Sequence, residues 1–235
     1  MAYWNSWATC LRYLLKNKQL RALLALLLTS FWAHAAQSDP VTVEVLGADG
    51  RPVPDVAVFV TQSGAELAAP PATAAVMDQV DTRFVPHILM VQTGTSVEFP
   101  NSDVIAHHVY SFSKPNNFVL PLYKGDAHDP VTFAHDGVVT LGCNIHDEML
   151  GYIVVVDTDV FGKTDETGRI QLALDDGAGG YEVRIWSPRI RDDAAALTQS
   201  VAASSGAGAQ VSFKLQKKLR APHHSQTDGA QWSEY

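Results

Sequence analysis

Three features of the sequence predict an all-β fold. Segments such as "VTVEVL" (41 to 46), "YEVRIW" (181 to 186) and "QVSFKL" (210 to 215) alternate apolar and polar residues, the period of a half-buried strand. Turn-forming clusters punctuate them: "ADGRPVP" at 48 to 54, "FPNSD" at 99 to 103, "AHDG" at 134 to 137, "DETG" at 165 to 168 and "DDGAGG" at 175 to 180. Beyond the N-terminal segment no stretch sustains a helical period. Many short strands at this spacing describe a β-sandwich or barrel.

Taken in order, residues 1–35 stand apart. Arg12, Lys16, Lys18 and Arg21 precede the apolar run "ALLALLLTSFWA" (22 to 33), and "AHA" (33 to 35) follows with small residues at the outer positions. This is the pattern of a signal peptide cleaved after Ala35. The apolar run is short for a bilayer span, which needs about 20 residues. The expectation is a periplasmic or otherwise exported protein with no membrane span after cleavage. Residues 1–35 hold four of the 17 basic residues and none of the 25 acidic ones, so the remainder carries a net charge of −12. Such a surface repels nucleic acid and favours a basic partner. Cleavage also removes Cys10, which leaves Cys143 as a lone thiol in an oxidising compartment, a liability unless it is buried or committed to a metal.

The mature chain divides into blocks. Residues 41–66 read as two strands around a turn, and "GAELAAPPATAA" (64 to 75) as a loop or linker. A middle block spans 76–157, a third block spans 158–219, and residues 220–235 read as a disordered tail with little to bury.

The chemistry lies in the middle block. "LGCNIHDEML" (141 to 150) places Cys143, His146 and Met149 at intervals of three, between the strand patterns "VVTLGC" (138 to 143) and "LGYIVVVD" (150 to 157). Copper that shuttles electrons uses a thiolate, two imidazoles and a weak axial donor such as methionine. Structural zinc, the main rival, seldom uses methionine. A second histidine must come from a neighbouring strand, and "FPNSDVIAHHVYSFS" (99 to 113) offers two. In a strand His107 shares a face with Val109, and His108 shares the other with Tyr110 and Phe112. Periodicity alone does not choose between them.

"AHHV" (106 to 109) and "GVVTLGCNIHDEMLGYIVV" (137 to 155) resemble the cupredoxin (plastocyanin/amicyanin-like) family, whose members carry a first ligand in "PHNV" and a C-x-x-H…M loop before the last strand. The resemblance covers roughly residues 77–157 and implies a Greek-key β-sandwich. It makes His107, Cys143 and His146 the ligands of one type 1 copper ion, with Met149 as axial ligand. The C-x-x-H-x-x-M spacing is the short amicyanin form. Together with "FVPHILMVQTGTSVEFPNSD" and "LPLYKGD", the chain looks like exported cupredoxin proteins often labelled methylamine-utilisation-like. The flanking blocks, "DGRPVPDVAVFV" and "KTDETGRIQLAL…GGYEVRIWSPR", resemble the two halves of a small carboxypeptidase regulatory-like (transthyretin-like) β-sandwich. In that reading the middle block is inserted between its strands. Two departures qualify the resemblance. His108 replaces the asparagine that normally helps pin the ligand loops together. Asp147 and Glu148 stand where a proline and an aromatic residue are usual, so the rim near His146 is expected to be acidic.

The resemblance implies an electron carrier rather than an enzyme, and a monomer is expected; the acidic surface, not the resemblance, suits a basic partner such as a c-type cytochrome or a dehydrogenase. Copper carriage or storage, or an envelope interaction module, is the alternative. The remaining histidines carry no such pattern. His87 follows "FVP" at a strand end, His128 and His135 lie in polar turns, and His223 and His224 form a pair in the tail. No nucleophile–base arrangement, phosphate-binding glycine loop or paired catalytic carboxylates stands out.

Overall fold

The computed structural model describes residues 40–62, 66–125, 128–174, 180–201 and 209–222. Residues 1–35, expected to be a signal peptide, most of the turn at 175–180 and the His223–His224 pair lie outside them. Within the described residues the chain is all-β, and its one helical element is a single 3-10 turn, Ala194–Leu197. No described helix is long and apolar enough to cross a membrane.

The strands form a stack of sheets separated by three apolar layers. In the first sheet, Val41–Leu46 lies between Arg169–Leu172, antiparallel, and Gln210–Lys214, parallel. In the second, Ala57–Gln62 pairs with Phe161–Lys163 on one side and with Tyr181–Trp186 on the other; Thr198–Val201 extends that side. The strands of 41–62 therefore hydrogen-bond to strands more than a hundred residues later. The third sheet has five strands in the order Ile88–Gln92, His146–Val156, Gly137–Cys143, His107–Ser111 and Phe118–Tyr123. A fourth, smaller sheet joins Val131–Thr132, Ser96–Glu98 and Ala75–Val76.

Side-chain alternation explains how the sheets stack. On Ala57–Gln62, Val58 and Val60 enter a cluster with Val43, Val45, Val183, Ile185 and Phe213, while Ala57 and Phe59 face a different cluster with Ile88, Val154 and Val156. On His146–Val156, Ile153 and Val155 join Phe84, Phe99, Val109, Phe133 and Leu141, and Val154 and Val156 point the opposite way. Both sheets are thus covered on both faces. Such strands read as continuous apolar runs, which is why "IVVV" (153 to 156) does not alternate. Trp186 packs edge-on to Tyr152 across the layer between the second and third sheets, with ring centroids 5.4 Å apart.

Arg220, the first residue of the expected disordered tail, is held in place. Its N–H donates to the Arg189 carbonyl at 2.8 Å, and its guanidinium donates to the Pro188 carbonyl at 3.0 Å.

Candidate metal centre

The C-x-x-H spacing is a consequence of local geometry. Strand Gly137–Cys143 and strand His146–Val156 are joined by a turn at Asn144 and Ile145, so Cys143 and His146 stand opposite each other as a register pair. The next pair up the ladder is Leu141 with Gly151. The cysteine strand advances two residues over that interval and its partner five, so Asp147–Leu150 bulges outward before pairing resumes. Met149 lies in that bulge, yet its side chain is buried in the same apolar cluster as Cys143.

On the other side, strand His107–Ser111 alternates as the sequence predicts. His107, Val109 and Ser111 are buried, whereas His108 and Tyr110 are half-buried. The geometry thus distinguishes the two histidines: His107 faces Cys143, and His108 faces away. The Nδ1 atom of His108 is buried without a hydrogen-bond partner.

Gly142 has a steric role. It pairs with Tyr110 on the neighbouring strand, and a Cβ placed on it would lie 2.8 Å from both Cζ and the hydroxyl oxygen of the Tyr110 ring. Gly142→Ala should therefore cost about 1–3 kcal/mol as overpacking beside Cys143. Urea denaturation checks this; a loss below about 0.5 kcal/mol would show that the ring moves aside freely.

Three donor atoms converge. Cys143 Sγ lies 3.8 Å from His107 Nδ1 and 3.7 Å from His146 Nδ1, and the two Nδ1 atoms are 3.2 Å apart. A point equidistant from the three lies about 2.1 Å from each, within the roughly 2.0–2.3 Å at which imidazole nitrogen and thiolate sulfur bind a first-row ion such as zinc. These are the residues among those described whose donors gather in this way. Cys143 and His107 are buried, and His146 is partly exposed. Burial and the neighbouring His107 push the His146 imidazole below its usual pKa, against an opposing pull from Asp103, which favours the neutral form a metal requires.

The far nitrogen of His107 is also engaged. Its Nε2 lies 2.9 Å from Oδ2 of Asp103, a carboxylate whose side chain is only 6% exposed. Burial alone would raise the Asp103 pKa. Hydrogen bonds from His107, Thr82 and Val104 outweigh it, so the net shift is downward. In the sequence "FPNSD" reads as a turn signal, and nothing in its composition marks this contact. The one available cue was a carboxylate four residues before a candidate ligand.

The rim carries the expected acidic pair together with exposed apolar residues. Asp147 and Glu148 are exposed, but so are Ile145 on the ligand turn and Val104 and Ile105 on the loop before His107. Of the other histidines, His87 stacks edge-on to Tyr152, and His128 packs against Tyr123.

A buried thiol and two imidazoles at the end of a β-sandwich define the class of site. Among solved structures, the chain is similar to a purple cupredoxin from Nitrosopumilus maritimus, at 22% identity and a TM-score of 0.32, covering 35% of this chain and 99% of that one. It is likewise similar to an oxidized mutant of amicyanin, at 22% identity and a TM-score of 0.33, over 42% and 98% of the two chains. A copper-containing nitrite reductase from Thermus scotoductus is similar at 26% identity and a TM-score of 0.34; the match spans 48% of this chain but only 28% of that one. No family model matches the sequence, and no curated protein does.

Proposed function

We propose that this chain is an exported type 1 copper protein that carries single electrons, with residues 76–157 as a cupredoxin domain set into a transthyretin-like sandwich made of 41–66 and 158–219. The observation that supports it is the triangle of His107 Nδ1, Cys143 Sγ and His146 Nδ1, with edges of 3.2 to 3.8 Å around one point. When bound there, a single copper ion would supply a one-electron couple. His107, Cys143 and His146 would hold it, with the buried Met149 as a weaker fourth donor. Two strands and a tight turn fix the first three side chains, so little reorganisation is needed when the charge at the site changes. His146, the partly exposed member, is the port for electrons. Asp147 and Glu148 beside it favour a basic partner such as a c-type cytochrome or a dehydrogenase, while Ile145, Val104 and Ile105 give the contact an apolar share.

The test uses the single mature thiol. One equivalent of copper should protect Cys143 in the folded protein from alkylation, and a chelator should restore its reactivity. Alkylation at an unchanged rate with copper present would reject the site. Protection by Cu(I) without electron exchange would instead favour copper carriage or storage.

A further inference from the structure

We infer that Asp103 is the positioning residue of this centre, holding His107 with Nδ1 turned toward Cys143 and His146 and biasing the site toward the more highly charged state of a bound ion. The inference rests on the copper reading for its second half only.

The carboxylate is held on every side. Oδ2 accepts the Thr82 N–H at 2.7 Å and faces His107 Nε2 at 2.9 Å, while Oδ1 accepts the Val104 N–H at 2.6 Å. The Asp103 N–H itself donates to Asn101 Oδ1 at 3.0 Å, so the whole residue has few ways to turn. The side chain of His107 is fully buried, which leaves Asp103 as the partner of its outer nitrogen.

Thr82 reaches Asp103 from a separate element. It sits at the tip of the hairpin formed by Asp78–Val80 and Arg83–Val85, where Asp81 has φ of 48° and Thr82 φ of 58°. Both are left-handed conformations that non-glycine residues adopt rarely, and β-branched ones most rarely. Successive positive φ values make the tight turn whose twist suits a two-residue hairpin. Here that turn aims a backbone N–H at the carboxylate. The hairpin is tied to the 100–103 loop at further points. Gln79 Nε2 donates to the Pro100 carbonyl at 3.1 Å, and the Asp78 carboxylate accepts Ser102 N–H at 3.1 Å and Ser102 Oγ–H at 2.8 Å.

The chemical consequence follows from donor and acceptor roles. Both Asp103 oxygens already accept backbone N–H groups, from Thr82 and Val104, so the carboxylate is the acceptor and His107 Nε2 the donor between them. The lone pair is then on Nδ1, the atom that faces the thiol. A carboxylate behind a ligating imidazole also raises its basicity. Added negative charge on that side stabilises a divalent ion more than a monovalent one, so Asp103 lowers the reduction potential. A residue that merely closed a turn would do neither.

Asp103→Asn keeps the shape and removes the charge, and the full mature chain is used throughout. In the metal-free wild type, nitrogen-15 NMR should show His107 as the Nε2–H tautomer; the Nδ1–H tautomer would overturn the inference whether or not the protein binds copper. In the copper-loaded protein, Asp103→Asn should bind Cu(II) about 10- to 100-fold more weakly and Cu(I) with less change. Each tenfold of selective loss raises the potential by about 59 mV for a one-electron couple. Equal loss for both oxidation states, or an unchanged potential, would reduce Asp103 to a structural role. If wild-type protein holds no copper, the copper reading fails, while the tautomer still decides whether Asp103 orients His107. Should the variant fail to fold, the wild-type tautomer remains the deciding readout.

Discussion

Replacing Cys143 with serine is expected to abolish the thiolate-to-copper absorption of the loaded protein and to weaken metal retention more than any other single change. Loss of an outer partner of a metal ligand costs about 10- to 100-fold in affinity, and Cys143 is a direct donor in the triangle, so its loss should exceed that range. Geometry adds to the effect. The side chain is buried and is the corner shared by the two longer edges, 3.7 and 3.8 Å. A serine oxygen sits closer to its Cβ and presents a hydroxyl that does not ionise in this range. The change is also visible without colour. Copper at a hundred times its dissociation constant stabilises a folded protein by about 2.7 kcal/mol, and thermal unfolding with and without the ion should show that gain in the wild type but little of it in Cys143→Ser. An equal gain in both would place the ion elsewhere.

Phe99→Ala is expected to cost about 3–5 kcal/mol, the range for deleting a fully buried aromatic side chain. Phe99 is 1% exposed, its ring lies 5.4 Å from that of Phe118, and Phe118 in turn meets Phe133 edge-on at 5.8 Å. The row is the floor of the cluster that also contains Cys143 and Met149. The residue has a second role, because the Phe99 carbonyl accepts the Tyr123 hydroxyl, and two residues later Asn101 Nδ2 donates to the carbonyls of Ile105 and Tyr123, each at 2.9 Å. Phe99→Ala leaves these bonds in place, so its cost comes from the lost packing of the ring. Urea denaturation would read the loss as a lower midpoint with an unchanged slope. A cost under about 1 kcal/mol would mean that the neighbouring rings close the cavity on their own.

Much of this architecture was legible because it depends on period. "VTVEVL", "YEVRIW" and "QVSFKL" alternate, and they are strands whose inward residues, such as Val43, Val183 and Phe213, share one cluster. The C-x-x-H spacing was legible for a similar local reason, since a two-residue turn places Cys143 opposite His146. The choice between His107 and His108 was not legible from period, because adjacent residues of a strand differ only in the face they present; only the resemblance of "AHHV" to "PHNV" pointed to His107. Which face is inward depends on Val109 and Ser111 packing toward the core. Asp103 was hidden more deeply. Its partner Thr82 lies 21 residues away and contributes a backbone N–H, which leaves no mark on side-chain identity. The stacked sheets were partly visible in the unbroken run "IVVV", although an apolar run alone does not say what covers it.

The most direct measurement is the visible spectrum of the protein loaded with one equivalent of Cu(II), recorded through a cycle of reduction and reoxidation. The account predicts an intense thiolate charge-transfer band that bleaches on reduction, returns on reoxidation and is missing from Cys143→Ser. Absence of the band in the wild type, or its survival in Cys143→Ser, would contradict the assignment of His107, Cys143 and His146 as a type 1 copper site.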